Sequence, residues 1–189
     1  MSQLTHYIEL EAIPQLEIKH SEVMAYAMQT LHSILPFFDG RVGLGFPQYH
    51  RNYGLGWKIR IFGSEMDLNF LSFQLEPLRN YFLIKEIALV PEQATAVRFQ
   101  RIQHKGNSAL RRAERRMRER GNFSADILEN MRLKQQETQL YPHVFLKSAS
   151  TRQNKMLLEI KRVVCQKHNE GQFTGYGLSK DAIATIPHF

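Results

Sequence analysis

With 189 residues, 43% of them hydrophobic and 11% aromatic, the chain can bury a core as one domain or two small ones, which excludes a disordered or low-complexity segment. The single cysteine, Cys165, allows no internal disulfide, no Cys/His cluster has zinc-ligand spacing, and no run nears the roughly 20 apolar residues of a membrane span. The start, Met1 to Leu10, lacks a basic stretch followed by an apolar one, so the expectation is a cytoplasmic protein with no membrane partner, no metal and no cofactor, and its net charge of +7 favours an anionic partner.

His6 to Ala12 alternates polar and apolar residues and reads as a half-buried strand. From Ser21 to Leu35, Val23, Met24, Ala27, Met28, Leu31, Ile34 and Leu35 recur at helical spacing, with Ser21 available as N-cap and Pro36 as the stop. Arg41 to Phe46 and Trp57 to Phe62 read as strands joined by a Gly- and aromatic-rich loop, followed by a helix from about Ser64 to Phe73 and a strand ending at Val90. The order β-α-β-β-α-β predicts an α+β protein whose residues 1–95 form a ferredoxin-like domain. A smaller α+β domain is expected over 96–189: a strand from Val97 to Gln103, two helices divided at Gly121-Asn122 with Ser124 as the second cap, strands at Val144 to Lys147 and Met156 to Val164, and a glycine-rich, turn-prone tail.

The charge is local. Residues 98–120 hold nine basic groups against two acidic ones, +7, whereas residues 1–97 carry −3 and residues 121–189 carry +3. At about 100° per residue, Leu110, Ala113 and Met117 share one narrow edge of a helix, and Arg111, Arg112, Arg115, Arg116, Arg118 and Arg120 spread over the remaining arc. A merely solvated face carries mixed signs and i,i+4 pairs, of which Glu114 to Arg118 is one, but six arginines against two glutamates is lopsided. Arginine suits bidentate contact with phosphates and guanine edges, so the helix points to nucleic acid. In a DNA-binding helix-turn-helix the second helix reads bases, and here the second helix has only Arg132 and Lys134. The deep A-form major groove admits a helix near a stem end or loop, which makes an RNA hairpin the natural partner.

Two stretches offer chemistry, and two glycine-containing ones do not. His32 borders the apolar stripe of its helix without joining it, as a boundary histidine or a general base would. Lys147-Ser148-Ala149-Ser150-Thr151-Arg152 places hydroxyls among basic groups at a strand end, as a turn or a phosphate-gripping edge would. Gly175-Tyr176-Gly177 lacks the spacing of a phosphate loop, and Gly43-Leu44-Gly45 lacks the third glycine of a dinucleotide fingerprint.

Together, the ferredoxin-like half with a histidine in its first helix, Arg101-Ile102-Gln103 before an arginine-rich helix, Ser148-Ala149-Ser150-Thr151, and Phe173-Thr174-Gly175-Tyr176-Gly177-Leu178-Ser179 resemble the CRISPR repeat-processing endoribonucleases of type I-F systems. The resemblance spans nearly the whole chain. It implies metal-independent cleavage of precursor crRNA at the 3′ base of the repeat hairpin by 2′-hydroxyl attack, giving a 2′,3′-cyclic phosphate, with the product kept bound and carried into a surveillance complex of other subunits. It also implies that His32 is catalytic, that Ser148 is the active-site serine and that Tyr176 orients the histidine. Arg101 and Gln103 fall at the base-reading positions, Arg to guanine and Gln to adenine being the chemically matched pairs. Arg111, Arg112, Arg115, Arg116 and Arg118 would grip the stem, with Ser150 and Thr151 as further RNA contacts. The family's stacking aromatic falls on Lys155 or Met156, depending on register. The alternatives are a non-catalytic RNA-binding subunit with an idle His32 and a helix-turn-helix DNA regulator.

Overall fold

A computed structural model describes residues 4–103, 107–136, 141–147 and 156–189; at 107–109 and 134–136 only the backbone is described. The protein is mixed α+β, with four α-helices and two antiparallel sheets among the described residues. It forms two compact units, Met1–Arg101 with Tyr141–Phe189, and Ile102–Leu140. Strands of the first sheet lie between His6 and Leu89, and those of the second begin at Thr95.

In the larger unit, β1 (His6–Ala12) lies at the centre of the first sheet. It pairs antiparallel with β3 (Lys58–Gly63) on one side and with β4 (Phe82–Ile84) and β5 (Ala88–Leu89) on the other, and β2 (Gly43–Gly45) pairs outside β3, giving the order β2-β3-β1-β4. The alternation read in the sequence works as the pleat demands: Ile8 and Leu10 turn to the core, Tyr7 and Glu9 to the other face. The strand expected to end at Val90 is two short strands. Register explains the break, because three steps of β1, from Leu10 to Tyr7, oppose four steps from Ile84 to Ala88. The extra residue makes a bulge, and within it the Lys85 N–H donates to the Glu9 carbonyl at 2.9 Å.

The first helix, α1 (His20–Ile34), buries Val23, Met24, Ala27, Met28, Leu31 and Ile34. It starts one residue before the expected N-cap, because Glu22 accepts from the Lys19 N–H and closes the first turn around Lys19; Ser21 is an interior residue. Pro36 does not end the winding at once but sits in a single 3-10 turn, Leu35–Phe38. The second helix, α2 (Glu65–Ser72), is capped by Ser64, whose Oγ accepts from the Asp67 N–H, and a 3-10 segment runs on to Leu78.

The second sheet has the order β7-β8-β6-β9, from β6 (Thr95–Ile102), β7 (His143–Leu146), β8 (Met156–Cys165) and β9 (Ile186–His188). The last of these has no counterpart among the expected strands. It packs where β2 is glycine: a Cβ at Gly45 would lie 2.5 Å from Ile186 Cδ1, and one at Gly43 would lie 2.7 Å from the Phe173 ring. These glycines therefore serve close packing of strands. One core, including Leu10, Leu31, Phe46, Phe99 and Leu158, joins both sheets.

The smaller unit is a helix pair, α3 (Asn107–Glu119) and α4 (Ala125–Gln136). Gly121, at φ +67°, ends α3: its N–H donates to Arg118 O and the Asn122 N–H to Met117 O, a Schellman closure. Ser124 Oγ then accepts from the Ile127 N–H and caps α4.

Candidate active site

His32 occupies the last turn of α1 between the buried anchors Leu31 and Ile34, so the core fixes its backbone and its ring is left half-buried. The ring meets a tight hairpin from the far end of the chain. Thr174 N–H donates to Leu178 O, Gly177 N–H donates back to Thr174 O, and Phe173 pairs with Ser179, leaving a three-residue loop, Gly175 to Gly177, with Gly177 in the left-handed region at φ +67°. The loop is tied down on three sides: Leu44 N–H donates to Gly177 O at 2.7 Å, Phe173 N–H to Gly40 O at 2.9 Å and Ser179 N–H to Phe99 O at 2.8 Å. A Cβ at Gly177 would lie 2.4 Å from Leu44 Cγ. Glycine is required there by both conformation and space.

Among the described residues, two contacts hold the His32 ring. Its Nδ1 is 2.8 Å from Gly175 O, and since a carbonyl can only accept, Nδ1 carries the proton and the neutral ring keeps its lone pair on Nε2. The Tyr176 ring stacks on it, with centroids 3.9 Å apart and planes 13° from parallel. Such an imidazole is oriented and of fixed tautomer, with Nε2 able to accept a proton.

Arg101, next to last in β6, joins this cluster. Its guanidinium carbon is 5.6 Å from the Tyr176 centroid, its Nη2 is 3.8 Å from Met156 Sδ, and the Tyr176 hydroxyl is 4.0 Å from the same sulfur. His32, Tyr176, Arg101 and Met156 thus converge, whereas Gln103 follows the last residue of β6 and is exposed. The ladder ends at Ile102, so the expected shared direction of Arg101 and Gln103 is not imposed by strand geometry. Ser148, Ser150, Thr151 and Lys155 lie outside the described residues. The chain is described up to Lys147, whose N–H donates to Oε1 of Gln29, one turn before His32 on α1, at 2.9 Å.

In the smaller unit, Leu110, Ala113 and Met117 are half-buried and Arg111, Arg112, Arg115, Arg116, Arg118 and Arg120 exposed, matching the two arcs of the wheel. Leu128 of α4 is buried in this unit, and a cleft of about 300 Å³ is lined by Leu110, Arg111, Glu114, Leu128 and Arg132. Two arginines are partly neutralised within the helix, Arg118 by Glu114 at 2.9 Å and Arg115 by Glu119 at 3.4 Å. Arg118 also lies over Phe123, 4.3 Å from its centroid.

Glu9 had no signal in the sequence beyond its place in an alternating strand. It is 4% exposed and receives Lys58 at 3.2 Å, Arg60 at 2.9 Å and Lys85 at 2.7 Å. Burial alone would raise its pKa, but the hydrogen bonds from Lys85, Arg60 and Lys58 outweigh burial and hold it at about 2. It braces the sheet face opposite the one that packs on the core. Gly175 was missed as a partner of His32 for a simpler reason: the two are 143 residues apart, and no local pattern links them. Among the described residues no three His, Cys, Asp or Glu side chains converge as metal ligands would, and no helix is long and apolar enough to cross a membrane.

A histidine of fixed tautomer, carried by an α+β protein that also holds a strongly basic helix, is an arrangement able to combine proton transfer with nucleic-acid binding. A profile described as CRISPR-associated protein (Cas_Csy4) matches residues 7–189. The chain is 31% identical over 194 residues to the CRISPR-associated endonuclease Cas6/Csy4 of Pseudomonas aeruginosa (strain UCBPP-PA14), covering 98% of this chain and all of that protein. It is 28% identical over 190 residues, with the same coverage, to the CRISPR-associated endonuclease Cas6/Csy4 of Escherichia coli (strain UTI89 / UPEC). The chain belongs to this family of CRISPR-associated endonucleases.

Proposed function

We propose that the protein binds the hairpin of a CRISPR repeat RNA and cleaves precursor crRNA at the 3′ base of the stem without a metal ion. The 2′-hydroxyl upstream of the scissile phosphate loses its proton to His32 Nε2 and its oxygen attacks phosphorus in line. The bond from phosphorus to the 5′-oxygen breaks, that oxygen takes a proton from solvent, and the products are a 2′,3′-cyclic phosphate and a 5′-hydroxyl. A tethered nucleophile needs only orientation and a base, and such a base contributes about 10²–10⁴-fold. The observation that carries this reading is the hydrogen bond from Nδ1 to Gly175, which leaves Nε2 as the proton acceptor. Tyr176 keeps the ring in plane, and Ser148 holds the attacking sugar or the phosphate.

Affinity comes from the exposed arginines 111, 112, 115, 116 and 118 of α3, aided by Ser150 and Thr151, and sequence is read by Arg101 and Gln103. The product stays bound, and the bound protein joins the other subunits of a type I-F surveillance complex in the cytoplasm. The order β2-β3-β1-β4, with a helix after β1 and another after β3, supports a ferredoxin-like reading of residues 1–95, and residues 96–189 are assigned to RNA. The test is cleavage of a cognate repeat by wild type and His32→Ala in excess EDTA, with analysis of the product ends. Wild-type cleavage to a cyclic phosphate and its loss in the variant are expected. Cleavage that stops in EDTA, or an RNA with a 2′-deoxy attacking nucleotide that is still cut, would overturn the mechanism.

A further inference from the structure

Base reading and orientation of the general base are assigned above to different side chains, yet Arg101 and His32 meet the same ring. Tyr176 stacks on His32 at 3.9 Å, and the Arg101 guanidinium carbon is 5.6 Å from the Tyr176 centroid, within the reach of a cation–π contact. Arg101 Nη2 and the Tyr176 hydroxyl also share the sulfur of Met156, at 3.8 and 4.0 Å. Arg101 Nε is buried and meets no acceptor among the described residues. Among the described residues, then, no strong hydrogen bond at that nitrogen accounts for the pose of the side chain, and the contacts that do are the Tyr176 ring and the Met156 sulfur.

From this we infer that Arg101 is a positioning residue for His32, acting through Tyr176, so that one side chain both contacts the RNA base and steadies the ring that aligns the general base. The two tasks are compatible: a guanidinium has five N–H donors, and a bidentate base contact uses two. The inference rests on the reading of His32 as general base.

The experiment is a double-mutant cycle in single-turnover cleavage of repeat RNA, with protein in saturating excess so that weakened binding does not enter the rate. Affinity is measured separately on RNA whose attacking nucleotide is 2′-deoxy. Arg101→Met is expected to lower the saturated rate about threefold in the wild-type background and less than about 1.5-fold in Tyr176→Leu, since its route to His32 is then already cut. Arg101→Lys, which keeps the charge and loses the flat guanidinium, is expected to be slowed about twofold, and it carries the test if the Met variant does not fold. An Arg101 variant with weaker affinity but an unchanged saturated rate would reduce Arg101 to a base reader and overturn the inference. An equal loss in both backgrounds would overturn the route through Tyr176. His32→Ala, run alongside, separates the two readings: cleavage at the wild-type rate in that variant would sink the general-base assignment itself, whatever the cycle gives.

Discussion

Replacing Tyr176 by Leu and by Phe separates what its ring does from what its hydroxyl does. Among the described residues, two contacts hold the His32 imidazole: the hydrogen bond to Gly175 O at 2.8 Å and the Tyr176 stack at 3.9 Å. The first is worth about 1 kcal/mol net and fixes the tautomer; the second, at about 0.5–1.5 kcal/mol, fixes the ring plane. Tyr176→Leu removes only the second. Freeing the ring by about 1 kcal/mol lowers the population of aligned histidine about fivefold, and the single-turnover cleavage rate at saturating protein should fall by the same factor. Affinity for a 2′-deoxy repeat should stay within about twofold of wild type. Tyr176→Phe keeps the stack and loses a hydroxyl whose partner is a weak acceptor, Met156 Sδ at 4.0 Å, so its rate should lie within about twofold of wild type. A Phe variant as slow as the Leu variant would refute the reasoning, because the hydroxyl would then take part in the chemistry. So would a Leu variant at the wild-type rate.

Glu9→Gln should cost about 3 kcal/mol at pH 7, since the carboxyl is held at about 2 instead of 4.5. A depressed pKa stabilises above the unfolded value and loses that stability as pH falls through the folded one, so in chemical denaturation the gap between wild type and variant should close between pH 4.5 and 2; a gap that does not change with pH would contradict the assignment. Gly177→Ala meets both a φ of +67° and Leu44 Cγ at 2.4 Å, and should cost about 2–4 kcal/mol in an unfolding titration. Glu114→Gln with Glu119→Gln frees Arg118 and Arg115 and raises the charge of residues 107–120 from 6 − 2 = +4 to +6. RNA binding should tighten and the slope of log affinity against log salt should steepen, as an electrophoretic shift series would record.

What was legible in the sequence was what repeats locally. The period of α1 and β1 is strong enough that their buried faces match residue by residue, and Ser124 and Gly121-Asn122 mark the ends of α4 and α3 through backbone chemistry that needs no tertiary partner. What was not legible depends on contacts across the chain. The break between β4 and β5 arises because β1 cannot match the longer strand step for step, and Lys85 in the bulge turns to a carboxylate 76 residues away. The start of α1 shifted because Glu22 reaches back to Lys19, a contact that competes with capping by Ser21. His32 was ambiguous on its helix for the same reason: a boundary histidine and a general base occupy the same angle on a wheel. The contacts that orient its ring are with a distant carbonyl and a distant aromatic ring, and Gly175 and Tyr176 come from a tail that reads locally as a turn.

In the proposed mechanism charge and chemistry fall to different compact units, and this has a kinetic consequence. The five arginines of α3 and Arg120 belong to residues 102–140, whereas His32, Tyr176, Met156 and Arg101 belong to the unit built on the two sheets. An exposed arginine contributes to affinity through counterion release, which is lost in salt; an imidazole oriented by a buried helix anchor and a clamped loop contributes to the step after binding. Substitutions in α3 should therefore move affinity and its salt slope and leave the saturated cleavage rate alone, while substitutions around His32 do the reverse. Arg101 is where this separation should fail. It stands at the end of β6 with its guanidinium over Tyr176, so a single substitution there should change affinity and saturated rate together, and only the rate change should depend on the presence of the Tyr176 ring.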